Sequence, residues 1–229
     1  MLKKYPQFTF AFAIVFFVEL LAVTHKLTEL RWVSKPLICI SLLLFLYFTI
    51  KKKSRFTSKV KIGLFFSLLG DVFLMLPPAG ELYFVLGLGG FLIAHLFYIS
   101  AFYLDATNTI TVEKRYVLSI FLVFGFFCMV YYWVLRPHLG GMSIPVLVYS
   151  FVITIMGIIA ALRFGKTNYR SFIWIFIGAL LFIVSDCVLA YNKFVERFAI
   201  GDLLVMSTYM AAQFLITMGT VERKFVKKN

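Results

Sequence analysis

Apolar runs long enough to cross a bilayer recur eight times along this sequence, at residues 7–24, 34–50, 60–76, 82–104, 115–135, 143–163, 170–191 and 200–220. Hydrocarbon offers no water to pair with peptide groups, so a spanning segment must satisfy them internally, and an α-helix does this in about 20 residues. The pattern therefore predicts an all-α, polytopic membrane protein with eight transmembrane helices. The linkers between runs are short, which makes the whole chain, 1–229, a single domain. Composition agrees: 62% of the residues are hydrophobic and 19% aromatic, with a mean hydropathy of +0.95, far from the balance of a soluble globular chain. The first run follows Lys3 and Lys4 as a signal peptide would. It is long, however, contains Glu19 and lacks a small-residue cleavage site, so it is expected to remain as the first helix.

The formal net charge of +13 belongs to the loops. With eight spans, 17 of the 23 Lys and Arg residues fall on the side that holds both termini, six of them between Lys51 and Lys61. The positive-inside rule makes that side cytoplasmic, in the inner membrane if the chain is bacterial. These residues answer to topology and to anionic lipid headgroups, and they form no continuous basic patch of the kind that would bind nucleic acid. Cys39, Cys128 and Cys187 lie inside apolar runs without a CxxC pair and read as packing residues. There is no GxSxG or HExxH motif, and two of the three His residues, His25 and His138, lie in loops, so neither a metal nor any other cofactor is expected.

Against this background the acidic residues inside the runs stand out. A carboxylate at a helix centre costs roughly 2.5 kcal/mol or more, and where one persists it faces the bundle interior and marks function. Asp71 lies in the stretch Gly63–Tyr103, where two apolar runs flank a Pro77-Pro78-Ala79-Gly80 turn, and Asp186 lies in the seventh run. Their surroundings echo each other: Leu69-Gly70-Asp71-Val72-Phe73-Leu74 against Val184-Ser185-Asp186-Cys187-Val188-Leu189. Ser34-Lys35-Pro36 and Ser143-Ile144-Pro145, which open the second and sixth runs, echo each other too. The echoes suggest a parallel 4+4 repeat whose site lies near the midplane, where the halves meet. Two carboxyl groups sharing a poorly hydrated cavity cannot both ionise easily, which leaves one as an acid and the other as a base. The alternative is that each merely hydrogen-bonds a neighbour and holds helices together.

Helical spacing places further polar and aromatic residues on shared faces: Gly87, Phe91, His95, Tyr98 and Phe102 on the fourth run, Pro145, Tyr149, Val152 and Met156 on the sixth, and Met206, Tyr209 and Gln213 on the eighth. They read as cavity lining, with His95 orienting a carboxylate or a water. Lys35 either pairs with an Asp, draws a lipid phosphate to the cavity mouth, or snorkels to the interface. Glu19 has no evident partner.

Several of these residues also carry a resemblance. Lys35-Pro36, the run from Gly70 to Met75, Phe84, Gly87, Phe91-Leu92-Ile93-Ala94-His95, Tyr98, Pro145, Tyr149, Gly178-Ala179-Leu180-Leu181-Phe182, Ser185-Asp186, Asn192, Tyr209 and Gln213 resemble the YhhN-type lysoplasmalogenases, a family of integral membrane hydrolases. The resemblance covers nearly the whole chain. It implies cleavage of the vinyl-ether bond of a lysoplasmalogen to a fatty aldehyde and glycerophosphocholine or glycerophosphoethanolamine, with Asp71 and Asp186 as the catalytic pair. Lys35, His95, Tyr98, Tyr149, Ser185, Asn192, Tyr209 and Gln213 would bind substrate or support the pair. The lysophospholipid would bed its tail against Phe91, Tyr149 and Met156. A proton-coupled carrier and a lipid-binding sensor are the competing readings, since intramembrane Asp and His residues also build proton relays.

Overall fold

A computed structural model describes residues 4–52, 54–76, 81–107 and 113–224. The turn at Pro77-Pro78-Ala79-Gly80 lies outside the described residues. The chain forms helices α1 (Pro6–Thr24), α2 (Thr28–Thr49), α3 (Arg55–Met75), α4 (Leu82–Ala106), α5 (Lys114–Leu135), α6 (Ser143–Ala161), α7 (Tyr169–Phe194) and α8 (Gly201–Val221), with two short 3-10 turns between α5 and α6. The protein is an all-α, multi-pass membrane protein. Seven of the eight helices are long and apolar enough to cross a bilayer. The exception is α3, whose first turns carry Arg55, Lys59 and Lys61 and whose last turns carry Asp71.

Helix starts depart most from the hydropathy pattern where the first turns are polar. α2 begins at Thr28 rather than near residue 34, with Glu29 in its first turn, where a carboxylate favours the helix dipole. Pro36 therefore lies inside α2 instead of opening it. It removes the hydrogen bond that an N–H there would make to the Trp32 carbonyl, and its ring crowds that carbonyl. α7 continues to Phe194, which brings Asn192 and Lys193 onto the helix.

The two carboxylate-bearing helices, α3 and α7, each pack most closely on the helix that follows. Between α3 and α4 the approach is set by glycine: a Cβ at Gly90 would sit 2.9 Å from the Gly70 nitrogen, and one at Gly70 would sit 3.1 Å from the Gly87 carbonyl oxygen. Small residues at such a seam let backbones touch, the main source of helix association where lipid is as apolar as Leu. The seam also fixes the backbone next to Asp71. α5 lies at the periphery with only Ile120 and Leu135 buried, and it turns Phe126, Met129 and Trp133 outward.

The helices alternate in direction, so polar groups gather at two ends. At one end Asp105 of α4 is fully buried and takes two arginines. Arg163, also fully buried, donates from Nε at 3.0 Å, and Arg223 donates from Nη2 at 2.5 Å. Arg163 also reaches the Ser171 hydroxyl at 2.9 Å, and both guanidinium groups lie over the Phe56 ring, at 5.5 and 4.3 Å. This clamp ties together α3, α4, α7 and the segments after α6 and α8. At the other end Lys26, with φ +54°, turns the chain out of α1: the Leu27 N–H bonds back to the Ala22 carbonyl at 2.9 Å, a left-handed helix cap. The chain then enters α2 beside an open vestibule.

Candidate active site

Three helices converge on Asp71. Tyr209 of α8 donates its hydroxyl to Oδ2 at 2.6 Å, and Lys35 of α2 places its ammonium 3.5 Å from Oδ1. Cys39, one turn along α2 from Lys35, lies 3.8 Å from Oδ2. Asp71 is 1% exposed and Lys35 5%, so the pair is a buried ion pair, in which each charge compensates the other.

Asp186 has a different setting. Tyr149 of α6 donates to its Oδ2 at 2.5 Å, and His95 Nε2 stands 3.8 Å away, beyond hydrogen-bond length. Among the described residues no Lys or Arg forms an ion pair with it. His95 is wholly buried, edge-on to the rings of Phe182 (4.7 Å between centroids) and Tyr149 (5.4 Å), and neither imidazole nitrogen has a hydrogen-bond partner.

Both carboxyl groups line one cavity of about 330 Å³, together with Lys35, Tyr209, Phe91, Ser185 and Asn192. Asp186, Phe84 and Leu189 also line a second space, an apolar slot of about 40 Å³ between α5, α6 and α7 that Tyr149, Phe127, Ile153 and Ile183 help to enclose. Outward, the cavity shares Arg31, Leu74, Arg197 and Asp202 with a vestibule of about 800 Å³. Asp186 thus stands where a polar chamber meets an apolar slot. Asp71 and Asp186 both lie in the C-terminal parts of their helices, about one and two turns from the end, which sets the chamber nearer the vestibule than the middle of the bundle.

The remaining predicted site residues sort by position. Lys35, Tyr209, Ser185 and Asn192 are on the cavity wall, and Tyr149 is on the slot. The Ser185 hydroxyl is committed to the Val205 carbonyl at 3.0 Å. Asn192 Oδ1 accepts from the Phe198 N–H at 3.5 Å, while its Nδ2 has no partner. Tyr98 and Gln213 lie on neither wall: the Tyr98 hydroxyl donates to Gln213 Oε1 at 2.7 Å, and both side chains are fully buried. They support the wall from behind. Met156, expected to bed a lipid tail, is fully buried and on no cavity wall, whereas Phe91 faces the polar chamber.

Arg31, Cys39, Lys193 and Arg197 are part of the site or its surroundings without having been singled out. Their signal is helical phase: Arg31, Lys35 and Cys39 recur every fourth residue on α2, and Asp186, Leu189 and Lys193 share a face of α7. Among the described residues no three His, Cys, Asp or Glu side chains are placed to hold a metal ion.

The model of the YhhN family matches residues 30–220. The human lysoplasmalogenase TMEM86A is 35% identical over 174 residues, which cover 73% of this chain and 67% of that protein. Rat lysoplasmalogenase TMEM86B is 33% identical over 202 residues, 86% of this chain and 76% of the relative. A Mycobacterium bovis lysoplasmalogenase is 32% identical over 160 residues, 69% of this chain and 58% of the relative. No solved structure matches the chain.

Proposed function

This chain belongs to the YhhN family, and from that premise we propose that it is a lysoplasmalogenase: a membrane hydrolase that cleaves the vinyl-ether bond of a lysoplasmalogen to a fatty aldehyde and glycerophosphocholine or glycerophosphoethanolamine. The observation that carries the reading is the shared cavity, where Asp71 and Asp186 meet in unlike settings.

Vinyl-ether hydrolysis needs an acid that protonates the β-carbon and an anion that steadies the oxocarbenium ion left behind. Asp186, which has no cationic partner, takes the part of acid, and its place at the mouth of the apolar slot puts it beside the first carbons of an alkenyl chain lying there. Asp71, paired with Lys35, takes the part of the anion. The proton moves from the Asp186 carboxyl to the β-carbon. Water then adds to the cation as Asp71 removes its proton, giving a hemiacetal that collapses to aldehyde and glycerol alcohol. The two-carboxylate logic is that of glycosidases, which pair an acid with an anion around the same kind of cation. Tyr149 and Tyr209 each donate a hydroxyl to one carboxyl and fix its orientation. No cofactor takes part. The vestibule opens at the end of the bundle opposite the N- and C-terminal segments, which the positive-inside rule makes the non-cytoplasmic side.

Purified protein in detergent tests this directly, because no gradient exists there to drive a carrier. Fatty aldehyde should appear from lysoplasmalogen and not from its saturated ether analogue, and Asp71→Asn or Asp186→Asn should abolish it. Binding of lysoplasmalogen without release of aldehyde would point to a sensor and overturn the hydrolase reading.

A further inference from the structure

Glu19 does nothing in that mechanism, yet it is fully buried on α1, outside the residues that the family model matches. Its carboxylate accepts hydrogen bonds from the Ser34 hydroxyl at 2.5 Å and from Arg31 Nε at 3.3 Å. A buried carboxylate in a membrane helix is costly where softer polar groups would join two helices as well. What Glu19 does that a Ser or Asn would not is hold a guanidinium.

Arg31 is half-buried on the wall common to the vestibule and the inner cavity. Glu19 engages it through Nε, and among the described residues neither of its terminal nitrogens has a hydrogen-bond partner. The fork is therefore presented to the cavity. Of the other charges there, Arg197 pairs with Asp202 at 2.7 Å and Lys35 with Asp71, while Lys26 lines the outer vestibule with Arg31. Lys193, its ammonium 4.9 Å from the centre of the Phe84 ring, adds a second positive charge to the same cavity. A planar fork fixed from behind by a carboxylate suits two oxygens of a phosphate, which an ammonium would meet only as a point charge.

We infer that Arg31 binds the phosphodiester of a single-chain phospholipid at the junction of vestibule and cavity, with Glu19 as the residue that positions it. The identity of the lipid rests on the function proposed above; the anion chemistry does not. Spacing fits as well. The backbone of Arg31 lies one turn of α2, a rise of about 6 Å, from that of Lys35, and Arg31 lines the same cavity as the Lys35–Asp71 pair. A glycerol backbone separates phosphate from ether oxygen by three carbons, so a headgroup on Arg31 leaves the reactive bond among the carboxyl groups.

The test measures binding of two saturated, non-hydrolysable ligands to purified protein in detergent: a 1-alkyl-glycerophosphoethanolamine and the 1-alkylglycerol of equal chain length. Wild-type protein should prefer the phospholipid by at least tenfold. Arg31→Met should erase that preference while leaving alkylglycerol binding in place, and Arg31→Lys should retain part of it. Glu19→Gln should weaken it severalfold. The double variant Glu19→Gln/Arg31→Met, which buries no unpaired charge, covers the case in which Arg31→Met alone fails to fold. If lysoplasmalogen is turned over, Glu19→Gln should raise KM several times more than it lowers kcat, a split that a mere helix tie would not produce. A phospholipid preference that survives in Arg31→Met or in the double variant, or an equal loss of both ligands, overturns the inference. Absence of aldehyde alongside Arg31-dependent phospholipid binding would instead refute the hydrolase and leave the phosphate site standing.

Discussion

The molecule buries carboxylates at both ends, and the two ends treat them differently. Asp105 receives two guanidinium groups, one of them also bonded to Ser171, under a Phe56 lid. It lines neither the chamber, the slot nor the vestibule. Asp71 and Asp186 have one ammonium between them, two tyrosine hydroxyls, an unbonded imidazole nearby and a cavity in front. Saturation with partners makes a clamp, and partial satisfaction beside empty space makes the setting that the proposed chemistry needs. Burial alone does not separate the two, since Asp105 and Asp71 are equally hidden; the partner count and the void do.

The largest expected effect tests the clamp. Asp105→Asn removes the charge that pairs with the fully buried Arg163 and should destabilise the protein by about 3–5 kcal/mol, the usual outcome of removing one member of a buried ion pair. Unfolding in mixed micelles reads this, and activity per folded molecule should stay near wild type; a large fall in that activity would erase the distinction between the ends. Next come Asp71→Asn and Asp186→Asn. Each should lower kcat at least ~100-fold, within what general acid or base groups contribute. Asp186→Asn, which breaks no pair with Lys or Arg, should shift unfolding less than Asp105→Asn, and Asp71→Asn, which opens the pair with Lys35, about as much. Less than a fivefold loss at both positions would sink the two-carboxylate mechanism.

Tyr149→Phe removes the hydroxyl that orients the protonated Asp186 carboxyl, a neutral hydrogen bond worth up to about 1.5 kcal/mol, and should cost up to roughly tenfold in kcat. Ala190 lies on the wall of the slot, and Ala190→Phe probes it. Filling it should shorten the preferred alkyl chain, read as a fall in kcat/KM for long chains of about tenfold, given ~0.8 kcal/mol per excluded methylene. The smallest effect belongs to Cys39→Ala, whose thiol lies 3.8 Å from Asp71 and 3.3 Å from the Tyr209 hydroxyl. A change in kcat of less than about threefold is expected, in keeping with a weak S–H donor.

Much of the site was legible before any coordinates. Asp71 and Asp186 stood out because carboxylates are rare in hydrocarbon-facing sequence, and Tyr149, Tyr209 and Lys35 because helical phase or family resemblance pointed to them. Arg31 shares the helical phase of Lys35 and Cys39, but phase alone gives it no role. An Arg in the polar first turns of a helix looks like any loop cation under the positive-inside rule, and only the contact with Glu19, 12 residues away, gives it a direction. Tyr98 and Gln213 share the phase of lining residues yet face each other behind the wall, because rotation of α4 and α8 about their axes is set by packing and not by sequence period. Pro36 misled the boundary of α2 for a related reason: a Pro opens a helix or interrupts one, and the polar turns ahead of it carried no hydropathy signal.

By itself the sequence determined that the chain is helical, that it lies in a membrane and which carboxyl groups are exceptional there. These follow from transfer free energies, which are summed residue by residue along each run. The tertiary structure alone decided which carboxylate is locked by arginines, which is matched with a lysine and which has no cation beside it. Ion pairs and hydrogen bonds act over a few ångströms in a medium of low polarity, so the partner that counts is whichever helix packing brings within reach.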